Sequence, residues 1–204
     1  MNSDLSIPQS LSQCQVKGVP YSGEHLLVRP ATIEDAPALA MVIVQSFHRY
    51  SDVRQWFVPL LRLGIGEDLR YRLRSLPNGH HACFVACLSD SRGSGSMIVG
   101  TVEVTVKYLH SRAITPIKMP YISNLAVDPQ YRRLGIARQL LNRCEVQVKR
   151  WNYSSIALHV LEHNDAAKAL YGQCGYHTQY AERQLSSWIF NQPRRLFLQK
   201  NLSL

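Results

Sequence analysis

Between Tyr121 and Trp151 the chain passes from a strand-like apolar run, Tyr121–Val127, through a short basic loop into a helical stripe of Ile136, Leu140, Leu141, Cys144 and Val148. One such unit commits its surroundings to layers, because an apolar helical stripe must cover a sheet and the sheet must be covered in turn. Upstream, Leu26–Arg29 reads as a short strand. Thr32 and Asp35 form a capping-box-like helix start with Pro37 in the first turn, and Leu39, Val42, Ile43 and Phe47 mark the helical face. A second helical region covers 53–76, where Gly64-Ile65-Gly66 predicts a break and is only a weak phosphate signal. Ala82–Leu88 and Ile98–Val106 are strands around a Ser/Gly-rich hairpin loop at 91–96, with an irregular stretch before Tyr121. Ser155–Val160 is a strand, Asn164 caps a short helix that stops at Gly175, and strands near Tyr176–Ala181 and Leu196–Asn201 follow. The predicted order is β-α-α-β-β-β-α-β-α-β-β, an α/β single domain with a mixed central sheet flanked by helices.

A chain of 204 residues can bury one sizeable core. Residues 1–23 are rich in Ser and Gln, without an apolar core or Arg, and read as a flexible N-terminal arm; 24–204 read as the folded domain. No apolar run reaches the roughly 18–20 residues of a membrane span, so no membrane partner is expected. The five cysteines are dispersed, with no C-x-x-C pair, which points to a reducing compartment. That places the chain in the cytoplasm, or in the plastid stroma if residues 1–23 are a targeting remnant. The net charge of +9 favours anionic ligands. It is scattered over short clusters (Arg70/Arg72/Arg74, Arg132/Arg133, Lys149/Arg150, Arg194/Arg195), which read mostly as solvated surface rather than a nucleic-acid tract.

The basic loop carries the chemistry. A helix start offers unpaired backbone N–H groups and the positive end of the dipole, a ready site for a pyrophosphate. Gly135 and Ala137 are small enough for close approach, and Arg132 and Arg133 add permanent charge. No G-K-[ST] follows, so this is not a Walker loop, and neither is it the dinucleotide fingerprint.

Arg132-x-x-Gly135-x-Ala137 after the strand Ile122–Val127 resembles the pyrophosphate motif of the GCN5-related N-acetyltransferases. Asn164-x-x-Ala167-x-x-Leu170-Tyr171-x-x-x-Gly175-Tyr176 resembles the second cofactor motif of the same family, and the likeness extends over about residues 26–200. The resemblance implies an acetyl-CoA-dependent transferase acting on an amine, with acetyl-CoA as donor and no metal. It implies that the backbone of Leu125, Ala126 and Val127 holds the thioester carbonyl and pantetheine arm. Arg132, Arg133, Leu134, Gly135, Ile136, Ala137 and Arg138 would form the diphosphate cradle. Asn164 would touch pantetheine, and Tyr171 would protonate the departing thiolate.

Acetyl transfer needs a neutral amine, stabilisation of the tetrahedral oxyanion and a proton for the thiolate. A tyrosine with a pKa near 10 holds its proton at neutral pH, although Tyr171 also fits a core aromatic. Where many relatives that acetylate ribosomal-protein N-termini carry Glu, this chain has His159 in Leu158-His159-Val160. With Tyr121 this resembles protein N-terminal acetyltransferases of the Naa50/Naa60 type, which implies that Tyr121 and His159 deprotonate the acceptor. Strand parity puts His159 with Ala157, opposite Ile156, Leu158 and Val160. From spacing alone, a structural histidine fits as well.

His159-Val160-Leu161-Glu162-His163 also spells H-x-x-E-H, a zinc signature that needs both histidines on one helix. In a strand the imidazoles stand roughly 13 Å apart, so no metal is expected. His80-His81 near Cys83 lacks enough partners for a site, and Cys174 lacks a visible activating base, which favours direct transfer in a ternary complex. The acceptor expected is a protein or peptide N-terminus, with lysine as a further substrate. Trp56, Phe57, Val58, Leu60, Trp188, Ile189 and Phe190 fall where the family's acceptor walls lie, and fit core packing equally. A polyamine or aminoglycoside transferase, and a non-catalytic acyl-CoA or nucleic-acid binding module, are the competing readings.

Overall fold

The computed structural model describes residues 24–47, 58–74, 80–90, 96–109, 116–182 and 194–203. Strand β1 (Glu24–Pro30) leads through a tight turn into α1 (Ala36–Phe47) and α2 (Val58–Arg74). The central strands are β2 (His81–Asp90), β3 (Ser96–Leu109) and β4 (Ile117–Val127), followed by α3 (Ile136–Arg150). Then come β5 (Ser155–Leu161), α4 (Asp165–Gln173), β6 (His177–Glu182) and β7 (Arg195–Asn201). This is the element order expected from the sequence. The seven strands form one mixed sheet in the order β1-β2-β3-β4-β5-β7-β6. Its one parallel junction joins β4 to β5 at a single register pair, Tyr121↔Ala157.

The two faces of the sheet bury different partners. Val102 and Val104 of β3, Ile122 and Val127 of β4, and Ile156, Leu158 and Val160 of β5 pack against the apolar stripe of α3. Gly100 permits that contact. A Cβ there would sit 3.1 Å from Ile136 and 3.1 Å from Leu140, so α3 could not lie so close to β3. On the opposite face, Leu39, Ala40, Ile43, Leu69 and Leu73 of α1 and α2 cover Cys83, Val85, Cys87 and Ala126. The same face continues past these helices as Met119, Tyr121, Ala157 and Phe197.

Three expectations change. Gly64-Ile65-Gly66 does not break α2, which runs through it. A helical glycine costs about 1 kcal/mol, but Gly66 is buried near Ala40 of α1, and Leu69 and Leu73 anchor the following turns. The stretch before Tyr121 is less irregular than expected: β3 extends to Leu109 and β4 begins at Ile117, paired from Leu109↔Ile117 through Val106↔Pro120. The start of α1 keeps its box. The Thr32 N–H donates to Asp35 Oδ2 at 2.8 Å, but through a 3-10 turn at Ile33–Asp35. Residues 1–23 and the 91–95 loop lie outside the described residues.

Candidate active site

The parallel junction sets the site. Beyond Tyr121↔Ala157 the β4 and β5 ladders do not continue, while β4 stays paired to β3. Opposite Val102, β4 takes an extra residue: Ser123 faces Glu103 and Ala126 faces Thr101. The bulge centres on Asn124, which adopts φ 52, a left-handed conformation that asparagine tolerates better than most residues. Asn124 Nδ2 donates to Glu103 Oε2 at 3.0 Å, and Arg72 of α2 donates to the same oxygen at 2.6 Å. Glu103 is buried. Desolvation raises its pKa above the usual carboxylate value, although Arg72 and Asn124 pull it down.

Tyr121 and His159 meet, as their assignment requires. Tyr121 Oη lies 2.8 Å from His159 Nδ1, and His159 Nε2 lies 2.8 Å from Glu182 Oε1. An ionised carboxylate only accepts, so Nε2 carries the proton and donates to Glu182. Nδ1 of the neutral ring is then left to accept from the Tyr121 hydroxyl. Parity puts His159 on the Ala157 face, as expected, where its ring packs 5.1 Å from that of Phe197. Burial holds the imidazole below its ordinary value; Glu182 pulls it up, while Arg195 and Lys107 push it further down. Burial raises the Tyr121 phenol, and the Arg195 guanidinium works the other way. The Lys107 ammonium lies 3.4 Å above the centroid of the Tyr121 ring.

Tyr171, on α4, is buried, and burial first, then Tyr121, pushes its phenol up to about 12. Its ring meets that of Tyr176 edge-on at 6.0 Å. Asn164 caps α4, its Oδ1 accepting from Ala167 N–H at 3.2 Å.

The loop from Asp128 to Gly135 turns β4 into α3. Asp128 Oδ1 accepts from Gln130 N–H at 2.9 Å, and Gly135 sits at φ 77 as the cap of α3. Among the described residues no heavy atom lies within 4 Å of where a Gly135 Cβ would stand, which leaves room for a ligand at the helix start. The two arginines ahead of it differ. Arg132 folds back, donating to Val127 O and Ser46 O at 3.3 Å each, and ties the end of β4 to α1. Arg133 is exposed at φ 69. Arg138 reaches Gln173 Oε1 at 3.0 Å and links the start of α3 to the end of α4. These features fit a phosphorylated cofactor: an open helix start, a glycine at positive φ, and a strand with one edge unpaired beyond Tyr121.

The zinc-like spelling dissolves in the fold, since His159 lies in β5 and His163 in the turn before α4. Burial, the largest influence on Cys174, raises its thiol above the ordinary value, which suits no nucleophile. Of the residues expected to wall the acceptor groove, Trp56, Phe57, Trp188, Ile189 and Phe190 lie outside the described residues, as do the side chains of Val58 and Leu60. Sequence reading missed Glu182, Arg195, Lys107 and the Arg72–Glu103–Asn124 set. An asparagine inside an apolar strand was the one local sign of the bulge. Glu182 gave no sign, because it reaches His159 only through the β5-β7-β6 order.

The profile of the Acetyltransferase (GNAT) family matches residues 50–176. Among curated proteins, the chain is 31% identical over 171 residues to GCN5-related N-acetyltransferase 10, chloroplastic, of Arabidopsis thaliana, spanning 81% of this chain and 67% of that protein. Among solved structures, the PaiA N-acetyltransferase of Thermoplasma acidophilum in complex with coenzyme A has a TM-score of 0.63 at 19% identity, over 86% of this chain and 98% of that one. A chain of the NatC complex bound to Gag peptide and CoA gives 0.60 at 20%, over 87% and 99%. At such identities the structural likenesses speak to the fold.

Proposed function

Since the chain belongs to the GNAT family of acetyltransferases and draws its acetyl group from acetyl-CoA, we propose that its acceptor is a protein N-terminal α-amine, with lysine a slower acceptor. The observation that carries this reading is the Tyr121–His159–Glu182 chain of hydrogen bonds beside the β4–β5 junction. When bound, acetyl-CoA supplies the acetyl thioester. The backbone of Leu125, Ala126 and Val127 and the start of α3, from Arg132 to Arg138, are the groups that would hold it, with Asn164 at the mouth of α4.

Tyr121 Oη takes a proton from the amine as its own proton passes to His159 Nδ1. Glu182 then steadies the imidazolium, as a carboxylate does for any histidine base it orients. Tyr171 plays a smaller part than full proton transfer. A phenol near 12 is a weaker acid than a thiol near 8.5, so transfer to the thiolate runs uphill. Its hydroxyl donates a hydrogen bond to the departing sulfur, and solvent completes the protonation.

An α-amine with a pKa near 7.7–8.0 gives up its proton to such a relay far more readily than a lysine near 10.4. A polyamine would want several carboxylates, and at this site Glu182 is already engaged by His159. The NatC complex, one chain of which shares this fold, is bound to a peptide, and the chloroplastic name of the Arabidopsis relative favours the plastid stroma over the cytosol. The test compares kcat/KM for Met-Leu- and Met-Val-starting peptides with Ser-starting peptides, an internal-lysine peptide and spermidine. The Met-starting peptides should lead. Spermidine outrunning every peptide would sink the acceptor assignment and leave the acetyl-CoA chemistry standing.

A further inference from the structure

We infer that the face of the Tyr121 ring is the subsite on which the protonated acceptor amine docks, and that Lys107 occupies this subsite until the acceptor arrives. The inference rests on the role proposed above for Tyr121. Lys107 Nζ stands 3.4 Å from the ring centroid, well inside cation–π range. Lys107 and Tyr121 share a face of the sheet: Thr105 pairs with Tyr121 and Lys107 with Met119, so the lysine reaches diagonally back across the ring. Among the described residues no carboxylate pairs with Lys107. The lysine therefore rests on the ring without an ion pair to hold it.

Access gives the second argument. Tyr121 is 7% exposed, yet a base must meet its substrate. Lys107 is exposed and sits at the edge of the cluster, so it is the group that can swing away. What it leaves is an aromatic face beside the phenol oxygen that is to take the proton.

The charge around the site gives the third. An α-amine arrives largely protonated near neutral pH. Glu182 is engaged by His159, and Arg195 repels a cation. Among the described residues the ring face is the attractive surface left for an ammonium, and the structure already holds one there.

The chemistry selects a primary ammonium rather than a particular peptide. Displacing Lys107 costs the incoming amine part of its own cation–π gain, and removing the lysine returns that part. The test is the equilibrium affinity of a Met-Leu-starting peptide for the full chain saturated with CoA. It is measured by calorimetry at about pH 7, where the peptide α-amine is still largely protonated and the depressed imidazole of His159 is largely neutral. Lys107→Met keeps length and loses charge, and should tighten the peptide about two- to fivefold, the size of an exposed cation–π contact. Tyr121→Phe keeps the ring and should bind the peptide like the parent, whereas Tyr121→Leu should weaken binding by a similar factor. Thermal stabilisation by acetyl-CoA checks that each variant folds.

Unchanged or weaker affinity in Lys107→Met overturns the inference, and so does equal affinity in the Phe and Leu variants. If the parent binds no peptide, the N-terminal reading has failed separately. The same comparison is then made with whichever amine of the panel turns over.

Discussion

As the proposed base, His159 would act in its neutral form, and its surroundings favour that form. Burial sets the imidazole below 6.5, Arg195 and Lys107 press it lower, and Glu182 resists. For a histidine with a depressed pKa the neutral ring is present above that value and is lost as pH falls through it. The acidic limb of kcat/KM should therefore lie below pH 6.5, and His159→Ala should lower turnover by about 10²-fold or more while acetyl-CoA binding survives. A rate that His159→Ala leaves intact across pH 6–9 would make the histidine structural. Glu182→Gln is the sharper variant. A glutamine amide can present N–H to Nε2, driving the ring proton to Nδ1, where it blocks acceptance from Tyr121. Turnover should fall by about 10²-fold, the direction seen whenever a base is held in the wrong tautomer. Any residual acidic limb should shift to lower pH, because the group that raised the pKa is gone. Tyr171→Phe should cost about tenfold in kcat, one hydrogen bond to a developing anion, with acetyl-CoA affinity kept. A loss of several orders of magnitude would instead assign Tyr171 the whole proton transfer.

At the scale of elements, the start of α3 is where local sequence and local structure agree most closely. Gly135 holds φ 77 with open space where a side chain would point. Gly135→Glu therefore combines backbone strain with a negative charge placed where the diphosphate is proposed to lie. Acetyl-CoA should raise the Tm of the parent by mass action and leave that of Gly135→Glu nearly unchanged. An equal shift in both would put the cofactor elsewhere. This element was legible because everything that defines it is local: an apolar strand, a capping turn, a glycine and a helical stripe within one stretch of chain. The same holds for Asn164 and α4. Gly64 and Gly66 misled for the opposite reason, since the burial of Leu69 and Leu73 of α2 against α1 outweighs glycine's local preference. His159 could be placed on its face by strand parity, but its partner Glu182 could not be found. That contact depends on β7 inserting between β5 and β6, a choice of strand order that no local pattern encodes.

Across the whole molecule, one buried carboxylate joins the helical layer to the strand that carries the site. Glu103 of β3 accepts from Arg72 of α2 and from Asn124 at the β4 bulge, while its buried Oε1 has no hydrogen-bond partner among the described residues. Such a group is an indifferent stabiliser, because the cost of taking a charge out of water offsets its Coulomb gain. The pKa agrees: burial raises it above 4.5 despite the guanidinium beside it. For an acid whose folded pKa is raised, the stabilising contribution is complete below the unfolded value and is lost as pH rises through the folded one. Glu103 therefore weakens the fold at neutral pH relative to acid. Asp35 does the reverse: desolvation would raise it, but Arg29 and the Thr32 donors hold it below its ordinary value, so its contribution is lost as pH falls. Glu103→Gln should then have a Tm at or above the parent's near pH 7.5, with the gap narrowing as pH approaches about 4.5. Glutamine resembles the protonated acid and can still accept from Asn124. A Tm well below the parent's at every pH would show the ionised carboxylate to be a net stabiliser. If the expected order holds, the charge is kept at the expense of stability, and it is held against the left-handed Asn124, just before the backbone of Leu125–Val127 that is proposed to hold the acetyl thioester.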